Sequence, residues 1–210
     1  MPTSITRMEL LERKAQLAIA QQGRDLLEQK KTALLKELMR VTGVVVERIE
    51  ELQESAERAA LSLARAEALA GSELVRSAAM AAGDVLNINI ETTNIMGVKV
   101  PHIEKQSARR PVTERGYSIA GTSITIDEAA GEFEEEVEAI LRLADSELRL
   151  IRLSKEFQNT SRRLNALDHV LIPRLKKERD QIQNALDERE RSDRFRLMLV
   201  KRAVERKRVS

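Results

Sequence analysis

The last third of the chain, from about Asp127 to Arg206, contains almost no helix-breaking residue over roughly 80 positions. Apolar side chains recur within it at intervals of 3, 4, 4, 7 and 4, which places them on one helix face: Leu164, Leu167, Leu171, Leu175, Ile182 and Leu186. An uninterrupted helix of this size would extend about 120 Å. No globular domain of this size encloses that length, so we expect a rod whose apolar stripe packs against a partner helix.

The first part of the chain supplies that partner. A helix is predicted from Thr6 to about Ala70, with Thr6 and Glu9 spaced as in a capping box. Its heptad seam contains two basic interruptions, Arg24 and Lys31, which either face a third element or extend their charged ends to water. The seam comprises Leu10, Leu17, Arg24, Lys31, Leu38, Val45 and Leu52, together with Ala20, Leu27, Leu34 and Val41.

The middle of the chain changes from helical to alternating periodicity. Ten alanines lie between Ala59 and Gly83, and a helix end near Gly71 followed by a short helix over 72–82 is predicted. A β-hairpin is predicted over about 85–101, with its turn at 92–94. Because an isolated hairpin is only marginally stable, its apolar face must rest on something. That face comprises Leu86, Ile88, Ile90, Met96, Val98 and Val100.

Two stretches after the hairpin lack a clear period or a balanced charge. Residues 102–122 are interpreted as an irregular, mobile loop. The stretch from Asp127 to Glu138 contains seven acids and no base. The helix dipole favours carboxylates in its first turn, and the remaining acids form a solvated face or a docking surface.

Together these segments predict a mainly α fold in three parts. These are an N-terminal shaft helix (1–70), a middle part with the short helix, hairpin and loop (71–126), and a C-terminal shaft helix (127–210). The simplest packing is a long antiparallel two-helix coiled coil. Both termini would then lie at one tip, with the hairpin at the other end. Pro173 removes a backbone hydrogen bond inside the final helix and is expected to bend it.

Composition and motifs argue against most chemistry. The chain has 33% charged, 42% apolar and 2% aromatic residues, which is typical of coiled coils rather than of enzymes with thick cores. It has no Cys, no phosphate-binding loop, no nucleophile motif and no metal-spaced cluster around His102 or His169. We therefore expect no catalytic, metal or cofactor site. No apolar run is long enough to insert into a membrane, and no signal peptide is evident.

The C-terminal segment from Arg189 to Arg208 carries nine bases against three acids, a net charge of +6. It is a solvated helix end, a polyanion-binding tail or a segment inserted into a partner. The run from Phe195 to Val200 is apolar nearly all round, which favours insertion.

Four landmarks in this order resemble the D subunit of the V-type and archaeal A-type ATPases. They are Thr6-Arg7-Met8-Glu9-Leu10; Asn94-Ile95-Met96-Gly97-Val98-Lys99-Val100-Pro101; Arg162-Arg163-Leu164-Asn165-Ala166-Leu167-Asp168 with Ile172-Pro173; and Leu186-Asp187-Glu188-Arg189-Glu190-Arg191. Leu164 and Asp168 stand where Val and Glu are more usual in that family. The loop 102–122 contains no family motif.

The resemblance implies a central-stalk rotor subunit without a nucleotide site. Such a shaft turns in a catalytic head of A and B subunits, binds the small F subunit, and docks on the C- or d-type adaptor of the membrane ring. It would be peripheral, on the cytoplasmic face of the membrane, and would couple proton or sodium ion transport to ATP synthesis or hydrolysis. The hairpin's apolar face would then contact the F subunit or the base. The head would contact Arg7, Arg194, Phe195, Arg196, Leu197, Met198, Leu199, Val200, Lys201 and Arg202.

Two other hypotheses remain open from the residues alone. One is a free-standing antiparallel coiled-coil adaptor or scaffold. The other is an enzyme or nucleic-acid binder that uses the basic tail, although a net charge of only +2 does not favour nucleic acid. Copurification with A, B and F subunits would distinguish a shaft from an adaptor, and a steep salt dependence of DNA binding would favour the last.

Overall fold

The computed structural model describes residues 6–82, 88–104, 107–118 and 121–209, with side chains as far as Val204. It is 84% helical, and a two-stranded hairpin lies between the long helices. This confirms the predicted fold class. The elements are α1 (Arg7–Ala70), α2 (Ser72–Ala81), β1 (Ile90–Ile95), β2 (Val98–Ile103), a 3-10 turn (Val112–Glu114), α3 (Ile124–Ala166), a π-helical turn (Leu167–Leu171) and α4 (Ile172–Val209).

The first helix starts and stops where the sequence predicts. The hydroxyl oxygen of Thr6 accepts a hydrogen bond of 3.2 Å from the backbone N–H of Glu9, so Thr6 is the N-cap. At the other end the chain leaves the helix at Gly71, which has φ +89. The short helix that follows ends at Ala81, one residue before the predicted limit.

The chain divides into two compact units, and α1 contributes to both. Unit 1 contains Met1–Thr32 and Gln158–Ser210, and unit 2 contains Ala33–Phe157. In unit 1, Arg13 pairs with Glu178 and Arg24 with Asp168, so partner numbers fall as α1 advances. In unit 2, Arg58 pairs with Glu132. Within unit 2, Arg48 bonds the carbonyl of Arg142, so the helices are antiparallel there as well.

The core of unit 1 consists of residues on the predicted apolar faces of the two helices, with one exception. Leu17 and Ala20 of α1 pack against Ile172 and Leu175, and Leu167 is partly buried beside them. The sequence pattern assigns Leu171 to this face, but Leu171 is exposed.

A π-helical turn explains the correction. The N–H of Ile172 bonds the carbonyl of Leu167, five residues earlier instead of four. This adds one residue to the turn, and the apolar stripe therefore continues at Ile172 instead of Leu171. Pro173 follows directly and has no N–H to donate. The bend predicted at Pro173 stays a prediction.

The core of unit 2 includes the hairpin. Val98 and Val100 of β2 are buried, and Val100 is only 1% exposed. They pack against Leu34, Val41 and Val45 of α1 and Leu153 of α3. The prediction that these two valines belong to an apolar face available to a partner is wrong, because the chain's own helices cover them.

The hairpin turn also differs from the prediction. Residues 92–94 lie inside β1, and Ile95 pairs with Val98 across the two-residue turn Met96–Gly97. Both turn residues have positive φ, 52° and 80°. Positive φ at both positions is the type I′ geometry, whose twist matches that of the strands. Leu86, predicted to begin the apolar face, lies outside the described residues.

The described parts of the segment after the hairpin pack against α3. Ala108 and Arg115 are buried. Glu138 accepts hydrogen bonds from the hydroxyl of Ser107 and the N–H of Ala108, at 2.9 and 3.0 Å. Glu134 receives two hydrogen bonds from Arg115. The acidic stretch of α3 therefore docks this chain's own loop, and the two carboxylates that fasten it could not be singled out from the sequence.

Tyr117, the chain's only tyrosine, lies in this loop and donates to Asp127 at 2.7 Å. Burial, and then this hydrogen bond, raises the pKa of Tyr117 above its ordinary value of about 10, while Arg115 opposes the rise. The contribution to stability is therefore complete below pH 10 or so and is lost as the pH rises through the raised value. We expect the near-ultraviolet tyrosinate absorbance to titrate above the midpoint of a free tyrosine, and Asp127→Asn to lower that midpoint. A native midpoint at or below the free value would contradict this account.

Gly116 lies where the loop approaches the end of α2. It has φ +84, and a Cβ added there would lie 2.5 Å from the carbonyl oxygen of Ala81. Because of the positive φ and this close contact, we expect Gly116→Ala to lower the free energy of unfolding by about 2 kcal/mol or more. Urea denaturation measures the change. The matched control is Gly43→Ala, a helical position with nothing within 4 Å. It should stabilise by up to about 1 kcal/mol. Equal effects of the two substitutions would show that the close approach is not constraining.

Candidate partner-binding surfaces

The last part of α4 continues beyond the start of α1. Arg7, the first residue of α1, pairs with Glu190 at 2.5 Å. Beyond that pair all described side chains, 191–204, are exposed. We call residues 191–204 the C-terminal extension. Its exposed apolar side chains are Phe195, Leu197, Met198, Leu199, Val200 and Val204.

The charges of the C-terminal extension are held weakly. Arg191 pairs with Glu188, Arg194 with Glu190, and Arg196 with Asp193, each three or four residues away along the same helix. The arginine side chains remain 77–78% exposed in these pairs. Exposed ion pairs contribute only about 0–1 kcal/mol, so these arginines exchange partners easily. The C-terminal extension thus combines a large apolar surface with mobile positive charge.

The hairpin presents a smaller apolar surface. Ile88, Ile90 and Met96 are exposed, in contrast to the buried valines of β2. Met96 adopts a left-handed backbone conformation, φ 52, that costs a non-glycine residue roughly 1–2 kcal/mol. Such strain is typical of positions where a side chain is kept for a contact.

A carboxylate of α3 fixes the hairpin's far end. Asp145 is buried, and its Oδ1 accepts the N–H of Ile103 at 3.0 Å and lies 2.8 Å from His102 Nδ1. Its other oxygen pairs with Arg149 at 3.1 Å. Sequence reasoning missed Asp145, although an acid one heptad after Glu138 on the same helix face was the available signal. The hairpin is therefore held rigidly on α3.

A cleft of about 450 Å³ lies between α2, α3 and the loop. Its walls are mostly alanines and other apolar side chains, and Arg115, Tyr117 and Glu134 line its polar end. Arg115 and Glu134 bond each other, and Tyr117 bonds Asp127. The polar groups are thus already partnered within the fold, and the cleft offers no reactive group.

Two kinds of site are not found in the described part of the chain. No group of three or more His, Asp or Glu residues that could hold a metal occurs in it. None of its helices combines the length and apolarity needed to cross a bilayer. His169, in the π-helical turn, is exposed. The features that stand out in it are the exposed apolar side chains of the C-terminal extension and the hairpin.

Comparison with known proteins identifies the family of the chain. A family model described as the D subunit of ATP synthase matches residues 9–202. The chain belongs to the ATP synthase D-subunit family. The D subunit of the A-type ATP synthase of Pyrococcus horikoshii is 40% identical over 200 residues, covering 95% of this chain and 94% of the relative. The proteins of the same name from Methanococcoides burtonii and Haloarcula marismortui are 37% and 36% identical, covering 94% and 93% of this chain and 96% and 85% of the relatives.

Membership in the D-subunit family confirms the resemblance that the four landmarks indicated. The matched range includes the hairpin and the C-terminal extension as far as Arg202. Arg7 lies just before it. The family match therefore covers both candidate surfaces, while the roles of individual residues in them stay predictions.

Proposed function

We propose that this chain is the central-stalk rotor subunit of a V/A-type rotary ATPase. It transmits torque between a catalytic head of A and B subunits and the ion-translocating ring, during proton or sodium ion transport coupled to ATP synthesis or hydrolysis. The observation that carries the proposal is family membership over nearly the whole chain, combined with an exposed C-terminal extension. It acts without a nucleotide site of its own, peripherally on the cytoplasmic face of the membrane.

The C-terminal extension is the part that enters the head in this proposal. Its apolar side chains slide against an apolar collar because such contacts have no directional bonds to break. Arg7, Arg194, Arg196, Lys201 and Arg202 exchange carboxylate partners of the head as the shaft turns. An asymmetric shaft then favours a different nucleotide state at each catalytic interface through differential contacts.

In this proposal the hairpin binds partners other than the head, which the C-terminal extension contacts. Ile88, Ile90 and Met96 contact the F subunit or the C- or d-type adaptor on the ring. We expect the double substitution Ile90→Asp and Met96→Asp to weaken that contact at least tenfold while helical content stays unchanged, since each change removes an exposed apolar contact. Binding measured by surface plasmon resonance checks this. Unchanged affinity for both the F subunit and the adaptor would refute a role for the hairpin.

Copurification tests the proposed function. The tagged chain is co-expressed with the A, B and F subunits of its own complex and isolated at two salt concentrations. A rotor subunit should retain all three in a fixed ratio, and the isolated chain should hydrolyse no ATP. Recovery of the chain alone, or as a homo-oligomer that excludes the A, B and F subunits, would favour a free-standing coiled-coil adaptor and contradict the proposal.

A further inference from the structure

The far end of the hairpin contains a histidine whose ring nitrogen is approached by two opposite charges. Nδ1 of His102 lies 2.8 Å from Oδ1 of Asp145 and 2.7 Å from a guanidinium nitrogen of Arg149. The same guanidinium nitrogen lies 3.1 Å from the other oxygen of Asp145. His102 belongs to β2, whereas both charged residues belong to α3, so these contacts join the hairpin to the helix.

Nδ1 cannot serve both neighbours at once. A guanidinium only donates hydrogen bonds and a carboxylate only accepts them, whereas an imidazole nitrogen donates when it carries a hydrogen and accepts when it does not. Without a hydrogen, Nδ1 accepts from Arg149, and its lone pair faces the oxygen of Asp145. With a hydrogen, Nδ1 donates to Asp145, and Arg149 has to move away from the ring. The geometry therefore contains two mutually exclusive arrangements.

The first arrangement suits the neutral ring, because it leaves every group with a partner. Arg149 then bridges Nδ1 and one oxygen of Asp145. The other oxygen accepts the backbone N–H of Ile103 at 3.0 Å, so the carboxylate needs no hydrogen from the ring. We therefore expect the neutral ring to carry its single hydrogen on Nε2.

A second proton on the ring enforces the other arrangement. A protonated imidazole donates from both nitrogens, so Nδ1 can no longer accept from Arg149. Its bond to Asp145 then joins opposite charges, which makes it one of the stronger kinds of hydrogen bond. Histidine changes its charge between about pH 5 and 8. The His102 side chain is 35% exposed, so this proton can come from solvent.

The charges around the ring accommodate the added proton. The ring lines a polar cleft of about 470 Å³. The cleft is also lined by three arginines and three carboxylates, contributed by α1, α3 and the residue after β2: Arg48, Arg142, Arg149, Glu104, Glu138 and Asp145. A fourth carboxylate, that of Glu91 in β1, belongs to the residue directly opposite His102 in the strand pairing. A protonated ring therefore makes the positive charges equal in number to the carboxylates.

We propose that His102 is a proton-operated switch that fastens the hairpin to α3. Arg149 bonds the neutral ring, and the protonated ring bonds Asp145 instead. In the second arrangement the His102 ring and the N–H of Ile103 both donate to one carboxylate, so β2 is held more firmly at acidic pH. The switch is a property of the isolated chain and does not depend on the proposed function.

Nitrogen-15 NMR of the histidine-labelled chain tests the first arrangement without changing any group of the switch. The chain has two histidines, and His169→Gln identifies the signals of His102. At alkaline pH the ratio of the Nε2–H to the Nδ1–H form should be about threefold or more higher for His102 than for the exposed ring of His169. An equal or lower ratio at His102 would overturn the proposal.

Hydrogen exchange of the Ile103 amide tests the second arrangement. Its protection factor, corrected for the intrinsic exchange rate, should rise about threefold or more between pH 8 and pH 5.5. His102→Gln should abolish the rise, because its amide can bond both Arg149 and Asp145 but does not titrate. The matched control His169→Gln should keep the rise. Constant or falling protection in the wild-type chain, or an equal rise in His102→Gln, would overturn the proposal.

Discussion

Truncation after Glu190 is expected to loosen the complex between this chain and the catalytic head and to lower coupling efficiency severalfold. It removes all six large exposed apolar side chains of the C-terminal extension and all of its positive charge. The proposed function assigns the contact with the head to these side chains, so their loss should weaken that contact. ATP hydrolysis by the head should be less affected, because the proposed function assigns no catalytic residue to this chain. Proton or sodium pumping per ATP hydrolysed, measured in reconstituted vesicles, checks the prediction.

Single charge substitutions provide the matched controls for that truncation. Arg194→Ala, Arg196→Ala and Arg202→Ala should each cost little, because exposed pairs contribute only about 0–1 kcal/mol and have alternative partners. The remaining complex should become less sensitive to salt as successive arginines are removed, because fewer charge pairs are left for salt to screen. Two results would contradict the proposal that the C-terminal extension turns against the head through weak, exchangeable contacts. One is abolition of both assembly and coupling by Arg196→Ala alone, and the other is the absence of any effect of the truncation.

Arg115→Ala is expected to lower the free energy of unfolding by about 3–5 kcal/mol, the usual effect of removing one partner of a buried ion pair. The Arg115 side chain is only 10% exposed and bonds both oxygens of Glu134, at 3.1 and 2.9 Å. It also donates to the carbonyl of Asp127 at 3.0 Å. Without it, the carboxylate of Glu134, whose side chain is only 15% exposed, loses its partner cation.

Urea denaturation of matched variants measures this effect. Arg40→Ala is the control, since Arg40 forms a similar hydrogen-bonded pair with Glu37 but is 61% exposed. It should change stability by no more than about 1 kcal/mol. The double variant Arg115→Ala with Glu134→Ala should cost less than the two single changes added together. Equal costs for Arg115→Ala and Arg40→Ala would contradict the buried role of Arg115.

The long helices could be predicted because their signal is repeated many times. Seam residues such as Leu17, Leu34 and Val41 recur every three or four positions, and each repeat supports the same assignment. Thr6 and Gly71 mark the helix ends by known capping chemistry. Agreement among periodicity, caps and composition therefore identified the elements and their order.

The corrected features depend on single local events. One extra residue in the π-helical turn moves the apolar stripe from Leu171 to Ile172, and three consecutive apolar residues, 170–172, allow either choice. In the hairpin, the asparagine at 94 resembles a turn residue, although the preceding threonines favour strands and Gly97 supplies the second positive φ. The ion pairs that hold the loop on α3 could not be predicted from the sequence, because the acids of α3 and the arginines of the loop, taken separately, resemble solvated charges.

The candidate surfaces could be predicted only in part. The exposed C-terminal extension follows directly from its composition, because a helix that is apolar nearly all round needs a partner. The hairpin surface was predicted too broadly, since alternation identifies an apolar face but not which side chains the same chain will cover. Val98 and Val100 are covered, and Ile90 and Met96 are not.

Rotation of this chain within a catalytic head fixed to a surface is the most direct measurement of its role. A bead is attached near the hairpin, at a cysteine introduced in place of Thr92, and observed during ATP hydrolysis by the A and B subunits. The rotor account predicts unidirectional, stepwise, ATP-dependent rotation of the bead that stops when ATP is removed. A complex that contains the labelled chain and hydrolyses ATP at its normal rate while the bead stays fixed to the head would contradict it.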